Sequence, residues 1–163
     1  MAALARWYRP VANSGSICGF SLIELLAALA ITSLLLALAV PAYHGHVVRA
    51  KRVQGQAALL RLMQQQERYY SQNNHYLAFS SALPAPQVQA FPWWSGEGGA
   101  AGSAYEIEAL ACPGLTIKQC VLLRALPGTV KVDAQFQDAD CGVLSLRSTG
   151  QRSSSGPASH CWP

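Results

Sequence analysis

Residues 20–40 read FSLIELLAALAITSLLLALAV, an apolar run that contains a single ionisable group, Glu24. About 20 apolar residues in a helix cross the ~30 Å hydrocarbon core of a bilayer. A helix able to span a membrane is therefore the first constraint on any fold of this chain. Glu24 sharpens it. Glu24 lies near the start of the run, and an unpaired acid buried in hydrocarbon is penalised by about 2.5–3.5 kcal/mol on insertion scales. A glutamate kept in such a run calls for a partner.

The remaining sequence bounds what surrounds this helix. With 163 residues, one compact domain plus an appendage is expected. Charged residues make up 12% of the chain, against roughly 25% in ordinary globular proteins, and the apolar run explains much of the deficit. The formal charge is +4, and two of the positive residues, Arg6 and Arg9, precede the run. The surplus left behind it is too small to argue by itself for nucleic acid.

Residues 1–19, MAALARWYRPVANSGSICG, form a short basic leader without acids. A secretory signal would be cut after its apolar stretch, beside small residues. Here Pro41 and Tyr43 follow the stretch, so the apolar helix is expected to be retained. Arg6 and Arg9 favour a cytoplasmic N-terminus, whereas Arg49, Lys51 and Arg52 on the other flank argue the reverse. The cysteines favour the first orientation. Cys18 stands directly before Gly19, and removal of the leader would leave four: Cys112, Cys120, Cys141 and Cys161. Four cysteines in an exported domain read as two disulfides, with three possible connectivities.

Gly19 followed by FSLIELL resembles the class III signal of type IV prepilins: a glycine, a hydrophobic residue, and a glutamate at the fifth position of the mature chain. Phe20 and Glu24 fill the last two places. The resemblance implies that a dedicated prepilin peptidase in the inner membrane cuts after Gly19 and that the new amine on Phe20 is methylated. It also implies a partner for Glu24. In a filament of staggered helices the Phe20 amine of one subunit meets Glu24 of the next, so the acid is paired where it would otherwise be costly.

Beyond residue 47 a globular head is expected over 48–163, giving three parts: leader 1–19, membrane and filament-core helix 20–47, and head. Ala50, Val53, Ala57, Leu60 and Met63 recur at spacings of three and four, which predicts an amphipathic helix ending near Tyr70 with that stripe against a sheet. Residues 71–103, rich in Pro and Gly and carrying Trp93 and Trp94, predict an irregular connection. One of the two tryptophan rings is expected to tuck under the loop.

Strand alternation follows in AYEIEALA, CVLLRAL, VKVDAQF and GVLSLRS. Four antiparallel strands laid on the helix give an α+β fold. Cys112 and Cys120 bracket a tight loop between the first two strands, while Cys141 and Cys161 bracket the last strand and a Ser/Gly/Pro tail. Those sequential pairs are expected, with a zinc site as the competitor; no C-x₂₋₄-C spacing supports zinc. Closing the tail would contribute about 3 kcal/mol.

The C-terminal stretch QFQDADCGVLSLRSTGQRSSSGPASHCW is similar to PilE-type minor pilins through Asp138, Cys141, Gly142, Leu144, Leu146, Gly150, Cys161 and Trp162. This implies the type IV pilin fold: a long N-terminal helix on a four-stranded sheet, stapled by disulfides. It also implies a minor subunit of a type IV pilus serving assembly, twitching motility and adhesion. Other pilins would be its partners. It would sit in the inner membrane with the head periplasmic, then in the surface fibre.

Two alternatives belong to the same superfamily. One is a DNA-binding competence pilin, with Lys118, Arg124, Lys131, Arg147 and Arg152 for phosphates and Trp93 or Trp94 for stacking. The other is a type II secretion pseudopilin. No catalytic motif occurs, so no enzyme, cofactor or metal is expected. His44 and His46, two residues apart on a helix, face different sides and make a poor chelate.

Overall fold

A computed structural model describes residues 20–83 and 91–163. The leader with Gly19, Cys18, Arg6 and Arg9, and the Pro84 and Pro86 part of the connection, lie outside the described residues. The chain divides after Pro41 into two units, the second being Ala42–Pro163.

Helix α1 (Leu22–Asn73) begins in the first unit and ends in the second. It stops three residues beyond the expected Tyr70. Asn74 takes a left-handed φ of 57° and donates its N–H to the Tyr70 carbonyl at 2.8 Å, which satisfies a terminal carbonyl and turns the chain away.

The sheet follows in the order β1 (Tyr105–Ala111), β2 (Val121–Pro127), β3 (Leu144–Arg147), β4 (Arg152–Ser154), each strand antiparallel to the next. Alternation decides its faces. Tyr105, Ile107 and Ala109 of β1, Val121, Leu123 and Ala125 of β2, and Leu144 and Leu146 of β3 are buried, while the residues between them are more exposed. The inward set packs with Ala58, Leu59, Leu62, Phe79 and Phe91 into one core. The free edge of β1 is covered by the connection: Phe79 bridges Ala109, Trp94 bridges Glu106, and Trp93 accepts the Ile107 N–H at 2.7 Å.

The four-strand total stands, but one member differs. VKVDAQF is not a strand. Val130 is 90% exposed while Val132 is buried, and Ala134 is exposed again. Local turn chemistry takes over from alternation: Thr129 Oγ1 accepts the Lys131 N–H at 3.3 Å and Asp133 Oδ1 accepts the Gln135 N–H at 3.1 Å. Gly128, with φ of 60°, starts the excursion, and a side chain there would collide with the Phe136 carbonyl. The fourth strand comes from the tail. RSS pairs with LSLR across a tight turn closed by bonds from the Gly150 N–H to the Arg147 carbonyl and from the Arg147 N–H to the Gln151 carbonyl, both 2.9 Å.

The buried face of α1 also differs from the apolar stripe. Arg52, Gly55, Ala58, Leu59, Leu62 and Gln66 face the sheet, whereas Ala50, Val53, Ala57 and Leu60 are exposed and Met63 is half-buried. The period is right and the phase is not. The inward face is rich in polar residues because each has a built partner: Gln66 bonds both main-chain groups of Leu77, and Gln56 donates to the Cys161 carbonyl at 2.7 Å. Gly55 admits the Tyr105 ring, which a Cβ would meet at 2.9 Å.

Disulfides join Cys112 to Cys120 and Cys141 to Cys161, with Cα separations of 5.4 and 5.5 Å. The first closes the β1–β2 loop. The second returns the tail to the end of the excursion that precedes β3.

Candidate functional site

The first candidate region is the apolar half of α1. Its large side chains from Leu22 to Val40 are 54–79% exposed, and the helix is long and apolar enough to cross a membrane. So continuous an apolar surface marks an environment other than water. At its start Ser21 caps the helix, its Oγ accepting the Glu24 N–H at 3.2 Å. Ser-x-x-Glu is the spacing of a capping box, with the acid at the positive end of the helix dipole. The residues SLIE carry that spacing in the sequence itself. Glu24 is exposed and, among the described residues, meets no cation. Phe20 is 81% exposed.

The second region is a buried node that sequence patterns did not single out as a pair. Arg52, 4% exposed, grips Asp138 with two bonds, from Nε to Oδ2 at 2.9 Å and from Nη2 to Oδ1 at 2.6 Å. Tyr105 Oη donates to Asp138 Oδ2 at 2.6 Å, and the Cys141 N–H donates to Oδ1 at 3.2 Å. Burial alone would push the Asp138 carboxyl up, but these donors outweigh it and hold its pKa below the ordinary value. Tyr105 is driven well above its usual value, first by burial and then by its bond to Asp138. The node fastens the helix, β1 and the Asp-x-x-Cys turn to one another. It is saturated and positions the second disulfide rather than offering reactive groups.

The third region is basic. The β1–β2 loop and the β3–β4 turn lie at the same end of the sheet, tied by Ser148 N–H to the Val121 carbonyl at 3.0 Å and Val121 N–H to Ser148 Oγ at 3.4 Å. Lys118 sits in the first connection, and Arg147 and Arg152 flank the second. Among the described residues none of the three forms an ion pair. Arg152 lies over the Trp162 ring, 5.5 Å from its centre, and donates to the Pro163 carbonyl at 3.2 Å. A groove of about 450 Å³ opens here between Leu60, Met63 and Glu67 of α1 and the Arg147–Arg152 turn.

The other expected contacts are not gathered at this end. Arg124 is engaged mid-sheet with Glu108 at 3.0 Å, and Lys131 follows the opposite end of β2. Trp93 packs against the core, with Trp94 edge-on at 5.2 Å, both beside the early part of β1. Among the described residues no cluster of three or more His, Cys, Asp or Glu is arranged for a metal.

Comparison with known proteins gives two family matches. Residues 41–145 match the model of the type IV minor pilin ComP, DNA uptake sequence receptor, and residues 16–40 match the prokaryotic N-terminal methylation motif. A solved structure, a high-resolution type IV pilin from Shewanella oneidensis, is similar at 26% identity over 71% of this chain and 98% of that one, with a TM-score of 0.44. No curated protein sequence matches.

Proposed function

Since the chain belongs to the family of the type IV minor pilin ComP, DNA uptake sequence receptor, we propose that it is a minor subunit that carries DNA contacts into a type IV pilus. Before assembly the apolar half of α1 anchors it in the inner membrane with the head in the periplasm. The leader is cut after Gly19, Phe20 is methylated, and the new amine meets Glu24 of a neighbouring subunit. The match of the methylation motif to residues 16–40 supports this sequence of events. Twitching and adhesion belong to the assembled fibre. The matching family is one of pilus subunits, which favours this reading over the secretion pseudopilin.

The observation that carries the DNA reading is the placement of Lys118, Arg147 and Arg152 at one end of the sheet, Arg147 and Arg152 on its opposite faces, with no acid paired to any of them among the described residues. Phosphate contacts are salt-dependent because each releases condensed counterions. Three contacts give a log–log salt slope of about −2 to −3 for duplex DNA, and Lys118→Ala or Arg147→Ala each reduces it by about one. A gel-shift series with head residues 48–163 across salt measures this. Absence of binding at low salt, or alanine variants that leave the slope unchanged, would remove the DNA assignment.

A further inference from the structure

In the head, the sheet covers one face of α1, the line Arg52, Gly55, Leu59, Leu62, Gln66. At 100° per residue, Ala50, Val53, Ala57 and Leu60 fall about 160° away, nearly the opposite side. All four are exposed, Val53 by 59% and Leu60 by 40%. Their three-four-three spacing is that of a coiled-coil seam, narrower than the stripe a helix turns to a sheet. The chain's own sheet is committed to the other face, and among the described residues the head leaves all four side chains of this seam exposed, with loops only bordering the grooves at Ala57 and Leu60.

The positions bordering the seam identify what fits it. They are Arg49, Gln54, Gln56 and Arg61, and no Asp or Glu occurs between residues 42 and 66. The amide of Gln56 is already spent on the Cys161 carbonyl. Glu97 stands on the far wall of a groove of about 460 Å³ that Lys51, Gln54, Ala57 and Arg61 line, and it pairs with neither cation among the described residues. Flanking charges choose partners in such seams, and like charges disfavour association. A second copy of this chain would bring only arginine and glutamine to those positions.

We propose that this seam receives the helix of a different pilin subunit, one with acidic residues beside its own apolar line, and that the chain does not pair with itself there. The proposal rests on the pilus reading. It makes the chain a guest placed singly among other subunits rather than a builder of runs.

The test uses the full chain in piliated cells, with a photo-crosslinking residue at Val53 and a control at Leu110 on the outer sheet face. Sheared filaments are first probed for the unsubstituted chain, then for adducts identified by mass spectrometry. The expected adduct from position 53 joins the chain to a different pilin with acids on its helix. An adduct with itself, one with a pilin lacking such acids, or none at all would overturn the proposal. Absence of the unsubstituted chain from filaments would overturn the pilus reading and the proposal with it. In parallel, Arg49→Glu/Arg61→Glu lowers filament content by roughly tenfold, while Arg49→Lys/Arg61→Lys retains it and both keep the DNA salt slope and the melting temperature. Equal incorporation of the two variants would also overturn it.

Discussion

Asp138 in the head and Glu24 in the apolar segment are both acids set among apolar residues, and they differ in where their compensation comes from. Asp138 is enclosed with Arg52, Tyr105 and the Cys141 N–H, so its charge is satisfied within the chain. Glu24 has a helix N-terminus and a serine cap but no cation among the described residues. Its surroundings, large apolar side chains more than half exposed, are unfinished in the single chain. The head satisfies its buried acid from within, whereas the segment before it presents an acid and large apolar side chains that the described residues do not cover.

The largest effect that probes this contrast comes from breaking the completed side. Asp138→Ala leaves the buried Arg52 guanidinium with only the exposed Asp140 carboxylate at 3.5 Å and lowers head stability by about 3–5 kcal/mol, read by denaturant unfolding. A loss under 1 kcal/mol would mean that the pair contributes little. The same node sets an acid dependence. Because the folded pKa of Asp138 is lowered, its contribution is present above the unfolded value of about 3.9 and lost as pH falls through the folded one. Melting temperature should therefore fall below about pH 4, and this component should be absent in Asp138→Asn.

Next in size is the Cys141–Cys161 link. Cys141→Ser/Cys161→Ser frees the tail and lowers stability by about 3 kcal/mol, and it frees β4 to exchange its amide hydrogens faster. Gly55→Ala is smaller. Crowding against the Tyr105 ring is worth about 1–3 kcal/mol, offset by about 1 kcal/mol of helix propensity, leaving a net loss near 1 kcal/mol by thermal melting. A net gain would show that the ring moves freely. The smallest effect belongs to Arg124 and Glu108. A double-mutant cycle on this partly exposed pair should return less than about 1 kcal/mol, far below the enclosed pair.

Much of this arrangement could be read from sequence where one local rule acted alone. The apolar run, the alternation in β1 and β2 and the fold built on them required no tertiary knowledge. The failures have physical causes. VKVDAQF alternates like a strand, but Thr129 and Asp133 bond their own backbone and turn it instead. The Ser-rich tail hid β4 because its strand residues are polar and show no apolar alternation. The helix phase departs from the apolar stripe because Arg52, Gln56 and Gln66 meet specific partners in the head while an apolar seam faces out. Periodicity reveals a packed face but not which molecule packs on it. Of the basic residues, Lys118, Arg147 and Arg152 share one end of the sheet only through its topology, which no linear spacing displays.

The central claim is that Glu24 is completed from outside the chain. Glu24→Ala tests it most directly, by quantifying the chain in membranes and in sheared filaments from the same cells, with the N-terminus sequenced. The expected result is unchanged membrane content, a mature end at Phe20, and strong depletion from filaments. Equal filament content of variant and wild type would contradict it.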